Sequence, residues 1–456
     1  MNKHTMMEKT AREAFEKGGF NGAWLYAENG EIVSKGAYGF SDPEGTKPLT
    51  EDSIFQLASV TKQFTAAAVM LAVRRGLISL EDDITKFFPE LYKYKGAKIR
   101  HLLSHTSGIP DYFDDADWFI DQWKKENRVP DNPEIVRFLL ETKAEPYCAP
   151  GEAFNYSNTG YNLLAEIVER VSGIPFEEFL MKNIFEPAGM KNTRCCHIRR
   201  DGVPFENYAQ ATVIADDKFV ADMDPEGEPE VIAFEGLNGD DYVFTDIFDM
   251  FRWDRVLREG SVITLEEQKH MYTPAVLSNG EAYADEDGDG YGFGWGIVND
   301  EDFGLIVRHS GGMPGVGTWF ERFIDEDKVL VYLTNRDCLD ARAYDAFYNG
   351  MEAIARGKEP EPIVSIEDVM VKDPDKSNWE SFCGKYEHPE DDFIIDEVFM
   401  KDGELFVKII DEEDDDEFEC RLYPIGENEF GRKGGFVRLT FGDGSVTYSE
   451  NTLKKL

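Results

Sequence analysis

Ser59-Val60-Thr61-Lys62 places a hydroxyl and an amine three residues apart. On a helix that spacing stacks both side chains on one face, one turn from each other. A serine in a first helical turn also lies beside free backbone N–H groups and the positive end of the helix dipole. Such a pair suits nucleophilic chemistry. Alone it is a weak signal, because two common residues at a fixed spacing recur by chance about once or twice in a chain this long, and an ordinary solvent-facing N-cap would look the same. Two further segments, each present once and in fixed order, change its weight. Tyr156-Ser157-Asn158 stands just before a helical stretch, and His309-Ser310-Gly311-Gly312 ends a strand-like run.

The elements that must carry these residues are readable from periodicity. An N-terminal helix leads to Ala23-Trp24-Leu25-Tyr26 and Ile32-Val33-Ser34, which flank a turn whose Asn29-Gly30 supplies the positive φ values of a tight hairpin. Thr61, Phe64, Ala68, Leu71 and Ala72 recur at helical spacing before Gly76, predicting a buried helix that begins at or near Ser59. A helical middle covers 133–142, 159–172 and 175–185. Strand character returns in 305–309, 317–323 and 329–333, and a helix over 341–355 closes the unit. Both ends of this region supply strands and a helix. The simplest assembly is α+β, one antiparallel sheet from the two termini, flanked by terminal helices, with the helical middle inserted as a second lobe. The expected domains are 1–356, a Pro- and charge-rich linker at 357–376, and a small all-β barrel-like module at 377–456. That module carries 21 acidic against 9 basic residues over 80 positions, so it is denser in negative charge than the rest.

Composition narrows the partners. With 48 Lys+Arg against 90 Asp+Glu the formal net charge is −42, which repels nucleic acid and anionic membrane surfaces. A hydrophobic content of 42% and 33 Phe supply a sizeable core, which excludes wholesale disorder. Met1 to Lys9 holds no apolar h-region, and the longest mostly apolar stretch, Phe64 to Val73, is far short of the roughly 20 residues that cross a bilayer. A cytoplasmic protein is expected, with its six cysteines as free thiols.

The three segments resemble the three motifs of the serine β-lactamase and penicillin-binding-protein superfamily, nearest its class C β-lactamase, D-aminopeptidase and esterase branch. The resemblance extends to Phe55 through Ser59, Leu102-Leu103-Ser104-His105-Thr106-Ser107-Gly108, Pro150-Gly151, Phe154 through Asn158 and Gly292-Phe293-Gly294-Trp295-Gly296, and covers roughly residues 20–356. The C-terminal module is similar to small β-barrel-like appendages of some members. The resemblance implies that Ser59 is the acylated nucleophile and that Lys62 and Tyr156 form its base system. A lysine ammonium beside a phenol lowers the tyrosine pKa from about 10, so that Tyr156 takes the Ser59 proton, donates it to the leaving group and later activates water. Asn158 is implied to hold Lys62 and a substrate carbonyl. The backbone N–H groups of Ser59 and Gly312, with Gly311 and His309 beside them, are implied to form the oxyanion and substrate-binding side.

One departure from the β-lactamase pattern matters. The third motif there usually begins with lysine, whose charge helps anchor the β-lactam carboxylate; here it begins with His309, which at an ordinary pKa near 6.5 is about a quarter protonated at pH 7. The expectation is therefore a serine hydrolase of a small ester, amide or D-amino-acid peptide, with weak or no β-lactamase activity. No cofactor and no metal is expected, and self-association is left open. The competing class is a ligand sensor that is acylated without efficient turnover.

Other signals are read as structural. His101 and His105 stand four apart on an expected helix, a zinc-compatible spacing without a third ligand. Asp285 through Gly290 starts like a calcium loop, but its twelfth position is Gly296 where a bidentate Glu is needed. The acidic run 411–417 reads as a hairpin tip, and Cys195-Cys196 beside His197 as buried structure. Tyr112-Phe113, Trp118-Phe119 and Trp123 either roof the cleft or pack the helical lobe.

Overall fold

A computed structural model describes residues 1–215, 218–223, 229–387, 393–411, 416–433, 438–448 and 451–456. The chain forms two compact units, residues 22–337 and residues 1–21 with 338–456.

The larger unit is built on a seven-stranded antiparallel sheet. Its strands are β1 (Gly22–Glu28), β2 (Glu31–Tyr38), β3 (Gly290–Tyr291), β4 (Gly296–Asp300), β5 (Gly304–Met313), β6 (Val316–Phe323) and β7 (Lys328–Thr334), in the order β2-β1-β7-β6-β5-β4-β3. Asn29 and Gly30 turn β1 into β2 with φ of 49° and 78°, as the Asn-Gly pair predicts. β1 then pairs with β7, Leu25 opposite Val331, so the two ends of this unit meet in the middle of the sheet. The third motif lies inside β5 rather than at its end, since β5 runs on to Met313. β6 pairs with β5 from Ile306 to Met313, whereas β4 covers only Gly304 to Arg308. The other edge of His309–Met313 is left unpaired by the sheet.

The Lys62–Arg74 helix is buried from Lys62 through Ala72. Its run of small and apolar residues, Ala66-Ala67-Ala68-Val69, makes it hydrophobic on all sides, the pattern of a central helix. Its core continues through Phe64, Leu71, Leu164, Ile167 and Val168 to Leu25 and Val331 of the sheet. The Asn158–Ser172 helix starts at Ser157, whose hydroxyl accepts from Gly160 N–H at 3.3 Å, and stops at Gly173 with φ 73°. Among the described residues no helix is long and apolar enough to cross a membrane.

In the second unit the Lys3–Glu16 and Ala341–Ala355 helices pack together, and Phe20 stacks on Phe347 at 4.1 Å. A closed barrel follows, formed by β8 (Gly384–Glu387), β9 (Phe393–Lys401), β10 (Glu404–Asp411), β11 (Asp416–Pro424), β12 (Glu429–Gly431), β13 (Arg438–Gly442), β14 (Ser445–Tyr448) and β15 (Asn451–Lys455). Alternating apolar residues such as Leu405, Val407 and Ile409 on β10 fill its interior against Trp379 and Phe382. The tip of the acidic run, 412–415, lies outside the described residues; its flanks pair Asp411 with Asp416.

Candidate active site

Ser59 sits in a short 3-10 turn, Ala58–Thr61, that runs directly into the Lys62–Arg74 helix. Ala58, fully buried, holds φ at 47°, a left-handed conformation that costs a non-glycine residue on the order of 1–2 kcal/mol. The surroundings hold it there. Leu57 N–H donates to the Val243 carbonyl at 2.9 Å, and the Leu57 carbonyl accepts from Thr318 Oγ1 on β6 at 2.7 Å. Gly311 of β5 has no room for a side chain, because a Cβ would collide with the Leu57 carbonyl and the Thr318 hydroxyl. Next to it Gly312 faces open space. The strand thus touches the backbone that delivers Ser59 and leaves Gly312 accessible.

Lys62 is completely buried. Its Nζ donates to Ser59 Oγ at 2.9 Å, to Asn158 Oδ1 at 2.6 Å and to the Asp240 carbonyl at 3.3 Å. An ammonium has three N–H donors. All three are engaged, which offsets the cost of burying the charge. Asn158 is held in turn by Asp111, whose Oδ2 accepts from Asn158 N at 2.7 Å and from Nδ2 at 2.9 Å. Only one orientation of the Asn158 amide satisfies both neighbours, with Oδ1 toward Lys62 and Nδ2 toward Asp111. Burial pushes the Asp111 carboxyl up to about 6, against the pull of the Asn158 and Phe113 N–H groups. A further wall is the segment 239–242. Asp240 accepts from Tyr112 Oη at 2.8 Å and Asn162 Nδ2 at 2.5 Å, and Thr65 Oγ1 donates to the Gly239 carbonyl at 2.6 Å.

Tyr156 is 38% exposed, with its ring centroid 4.9 Å from Lys62 Nζ. Its ring stacks on His105 at 4.1 Å. That contact corrects the reading of His101 and His105 as a pair on one helix. The helix ends at Leu103, and His105 lies beyond it at φ 56°, because the chain turns there to bring the imidazole to the second motif. His105 Nδ1 accepts from Ser157 N–H at 3.0 Å, and Nε2 lies 3.2 Å from Tyr291 Oη. His101 stays behind, its Nδ1 accepting from Lys98 N–H at 3.2 Å. Among the described residues no three His, Cys, Asp or Glu side chains converge as a metal-ligand group.

His309 is 7% exposed, and this overturns the expectation of a partly protonated ring. Burial, then the Lys62 charge, lowers its pKa to about 4, so the ring is neutral at pH 7. Its Nε2 lies 2.8 Å from Tyr291 Oη and its Nδ1 2.5 Å from the Ser310 carbonyl.

The remaining signals are placed as follows. Trp118 and Phe119 pack on Phe138 in the lobe, while Phe113, 39% exposed, leans on Phe234. Packing of the lobe accounts for the first two. Asp285 Oδ1 accepts from the N–H groups of Asp287 and Asp289, and Asp289 pairs with Arg308 at 2.5 Å, so these carboxylates close the loop on itself and on β5. Burial raises the Cys195 thiol well above its usual range and Cys196 to about 12, which leaves neither as a thiolate. His197 Nδ1 is bonded to the Glu235 carbonyl at 2.5 Å. All six cysteines are free.

The β-lactamase family pattern matches residues 7–353. Penicillin-binding protein 4* of Bacillus subtilis (strain 168) is 32% identical over 442 residues, spanning 96% of this chain and 94% of its own. The chain belongs to the β-lactamase family. Among solved structures, the octameric penicillin-binding protein homologue from Pyrococcus abyssi aligns over 100% of both chains with a TM-score of 0.64 at 22% identity. The D-amino acid amidase from Ochrobactrum anthropi SV3 complexed with D-phenylalanine aligns over 78% of this chain and 98% of its own, with a TM-score of 0.63 at 22% identity. Both share the fold. The protein is a serine hydrolase of this family, with a closed barrel added at its C-terminus.

The residues expected from the sequence fall together: Ser59, Lys62, Tyr156 and Asn158 around one ammonium, with Gly311 against the Ser59 turn and His309 beside them on β5. Sequence reasoning missed Asp111, Asp240 and Tyr291 and misassigned His105. Two of these stood inside or next to segments already singled out, His105 in 102–108 and Tyr291 directly before Gly292.

Proposed function

We propose that the protein hydrolyses small esters, amides or D-amino-acid peptides through an acyl-enzyme on Ser59. The observation that carries this is the Lys62 ammonium, which bonds Ser59 Oγ at 2.9 Å and Asn158 Oδ1 at 2.6 Å while its third donor is used by Asp240. A lysine donating in all three directions holds the serine oxygen but has no lone pair to take its proton. That favours Tyr156 as the base. Its phenolate takes the Ser59 proton as Oγ attacks the carbonyl carbon. The oxyanion is met by the N–H groups of Ser59 and Gly312, and the proton passes from Tyr156 to the leaving alcohol or amine. Water, deprotonated by Tyr156, then attacks the ester and Ser59 recovers its proton as the acid departs.

The neutral His309 bears on substrate class. Without a cation at that position, and with a net charge of −42, a substrate carboxylate gains no electrostatic anchor from the third motif. Neutral esters and amides, or substrates with a free amine, are favoured over β-lactams. The D-amino acid amidase named above supports the amide reading, and the octameric homologue supports self-association.

A fluorophosphonate probe and a chromogenic neutral ester test the reading. Ser59→Ala should abolish labelling while leaving the fold intact, and Tyr156→Phe should lower kcat by at least about 10²-fold. Labelling of Ser59→Ala at the wild-type rate would remove Ser59 from the mechanism. A stoichiometric burst with no turnover on any ester, D-amino-acid amide or chromogenic β-lactam would identify a sensor instead.

A further inference from the structure

Tyr291 lies outside all three motifs, yet its hydroxyl is hydrogen-bonded to two histidines. Oη stands 2.8 Å from His309 Nε2 and 3.2 Å from His105 Nε2. The other ring nitrogens fix where the protons are. His309 Nδ1 is 2.5 Å from the Ser310 carbonyl, which can only accept, so Nδ1 carries hydrogen and Nε2 of the neutral ring accepts. His105 Nδ1 receives the Ser157 N–H at 3.0 Å, so its hydrogen is on Nε2. One phenol satisfies both rings by accepting from His105 and donating to His309; the Tyr161 hydroxyl, whose own proton goes to the Leu103 carbonyl at 2.6 Å, stands beside it as a second acceptor. Every proton then points the same way, from Ser157 N–H through His105, Tyr291 and His309 to the Ser310 carbonyl.

We propose that Tyr291 and His105 are positioning residues for the hydrolytic reaction, forming with His309 a one-directional hydrogen-bond wire that fixes the second motif against the third. The second motif carries Tyr156 and Asn158, and β5 carries Gly312, so the wire spans the base and the oxyanion side. It also orients the base directly, since the Tyr156 ring stacks on the His105 ring at 4.1 Å. Placement errors of this kind are costly, because a shift of about 1 Å can lose 10²-fold in rate. The inference rests on the hydrolase reading above.

The wire requires neutral rings. A proton on His309 Nε2 would face the Tyr291 hydroxyl hydrogen, and one on His105 Nδ1 would face Ser157 N–H. The groups facing the two imidazoles are each other, the Lys62 ammonium and the phenols of Tyr156, Tyr161 and Tyr291. Burial and Lys62 both oppose protonation, holding His105 well below its ordinary pKa and His309 near 4.

The test compares Tyr291→Phe, His105→Asn and the double variant on a neutral chromogenic ester. Phenylalanine removes only the hydroxyl. Asparagine keeps a short acceptor for Ser157 N–H, tolerates a positive φ, and breaks the link to Tyr291. Each single variant should lose on the order of 10-fold or more in kcat with little change in KM or thermal midpoint, and the double variant should lose no more than the worse single. In Tyr291→Phe the acid limb of the kcat profile should also move to higher pH, because His309 loses the O–H donor that favours its neutral form. A folded Tyr291→Phe with wild-type kcat and an unmoved acid limb overturns the proposal, as do losses that add in the double variant. If one single variant does not fold, the other is judged by the same kcat and pH measurements. Wild-type turnover that vanishes in Ser59→Ala secures the hydrolase reading separately, so a null result here counts against the wire alone.

Discussion

Asp111 touches no expected reacting atom, yet it decides which end of Asn158 faces Lys62. With its carboxylate gone, the Asn158 amide is free to turn and present Nδ2 to an ammonium that can only donate. Asp111→Ala should therefore lower kcat by roughly 10- to 10²-fold, the range that misplacement of a catalytic group produces. Asp111→Asn is the informative control, since one amide oxygen can still accept both Asn158 donors now shared by Oδ2. It should retain most of the activity. Equal losses in the two variants would mean that the negative charge matters rather than the acceptor. The folded carboxyl is raised to about 6, so the native state binds this proton more tightly than the unfolded chain does. The ionised form prevails above pH 6, and because the neutral acid keeps a carbonyl oxygen that accepts as the Asp111→Asn amide does, kcat should change little as pH falls through that value.

Elements explain why the three motifs were legible and the residues that support them were not. Ser59 and Lys62 are neighbours through one helical turn, and His309 through Gly312 follow one another along β5, so local spacing already encodes their geometry. His105, Asp111 and Tyr291 reach the site through chain turns and tertiary contacts. His105 looked like the i+4 partner of His101 because the sequence does not announce that the helix stops at Leu103. The pKa of His309 was likewise misjudged, since burial beside Lys62 is a property of packed elements rather than of the motif. The glycines of β5 give a test at this scale. Gly311→Ala drives a methyl into the Leu57 carbonyl and Thr318, and overpacking of this kind costs about 1–3 kcal/mol. It should lower both the thermal midpoint and Ser59 labelling. Gly312→Ala meets nothing within 4 Å, so it should leave the midpoint unchanged and act only on substrate binding or turnover. A lower midpoint in Gly312→Ala, or an unaffected one in Gly311→Ala, would show that the strand does not sit against the nucleophile turn as described.

At the scale of the whole molecule, every residue of the expected site lies within 22–337, while the two terminal helices and the barrel form the other unit. The proline- and charge-rich stretch after Gly357 has a linker's composition, but part of it is anchored within its own unit. Lys17 Nζ donates to the Ile363 carbonyl at 2.5 Å and pairs with Asp368 at 2.8 Å. Asp340 Oδ2 accepts from Ile366 N–H at 2.6 Å, and Ile366, 1% exposed, packs toward Gly431 of β12. Composition could not reveal this, because a few specific hydrogen bonds and one buried isoleucine leave no periodic trace. Two truncations separate the contributions. A chain ending at Lys372 keeps the Lys17 and Asp340 partners, whereas one ending at Gly357 removes the Lys17 bonds and leaves Asp340 only its Ala343 N–H cap at 3.0 Å, at about 1–3 kcal/mol for each group left unsatisfied that stays buried. Thermal midpoints should fall in the order full length, 1–372, 1–357, with fluorophosphonate labelling of Ser59 retained in 1–372. Equal midpoints for the two truncations would mean that the anchoring bonds add nothing. Loss of labelling in a folded 1–372 would instead make the barrel part of the catalytic apparatus, since no motif residue has been removed with it.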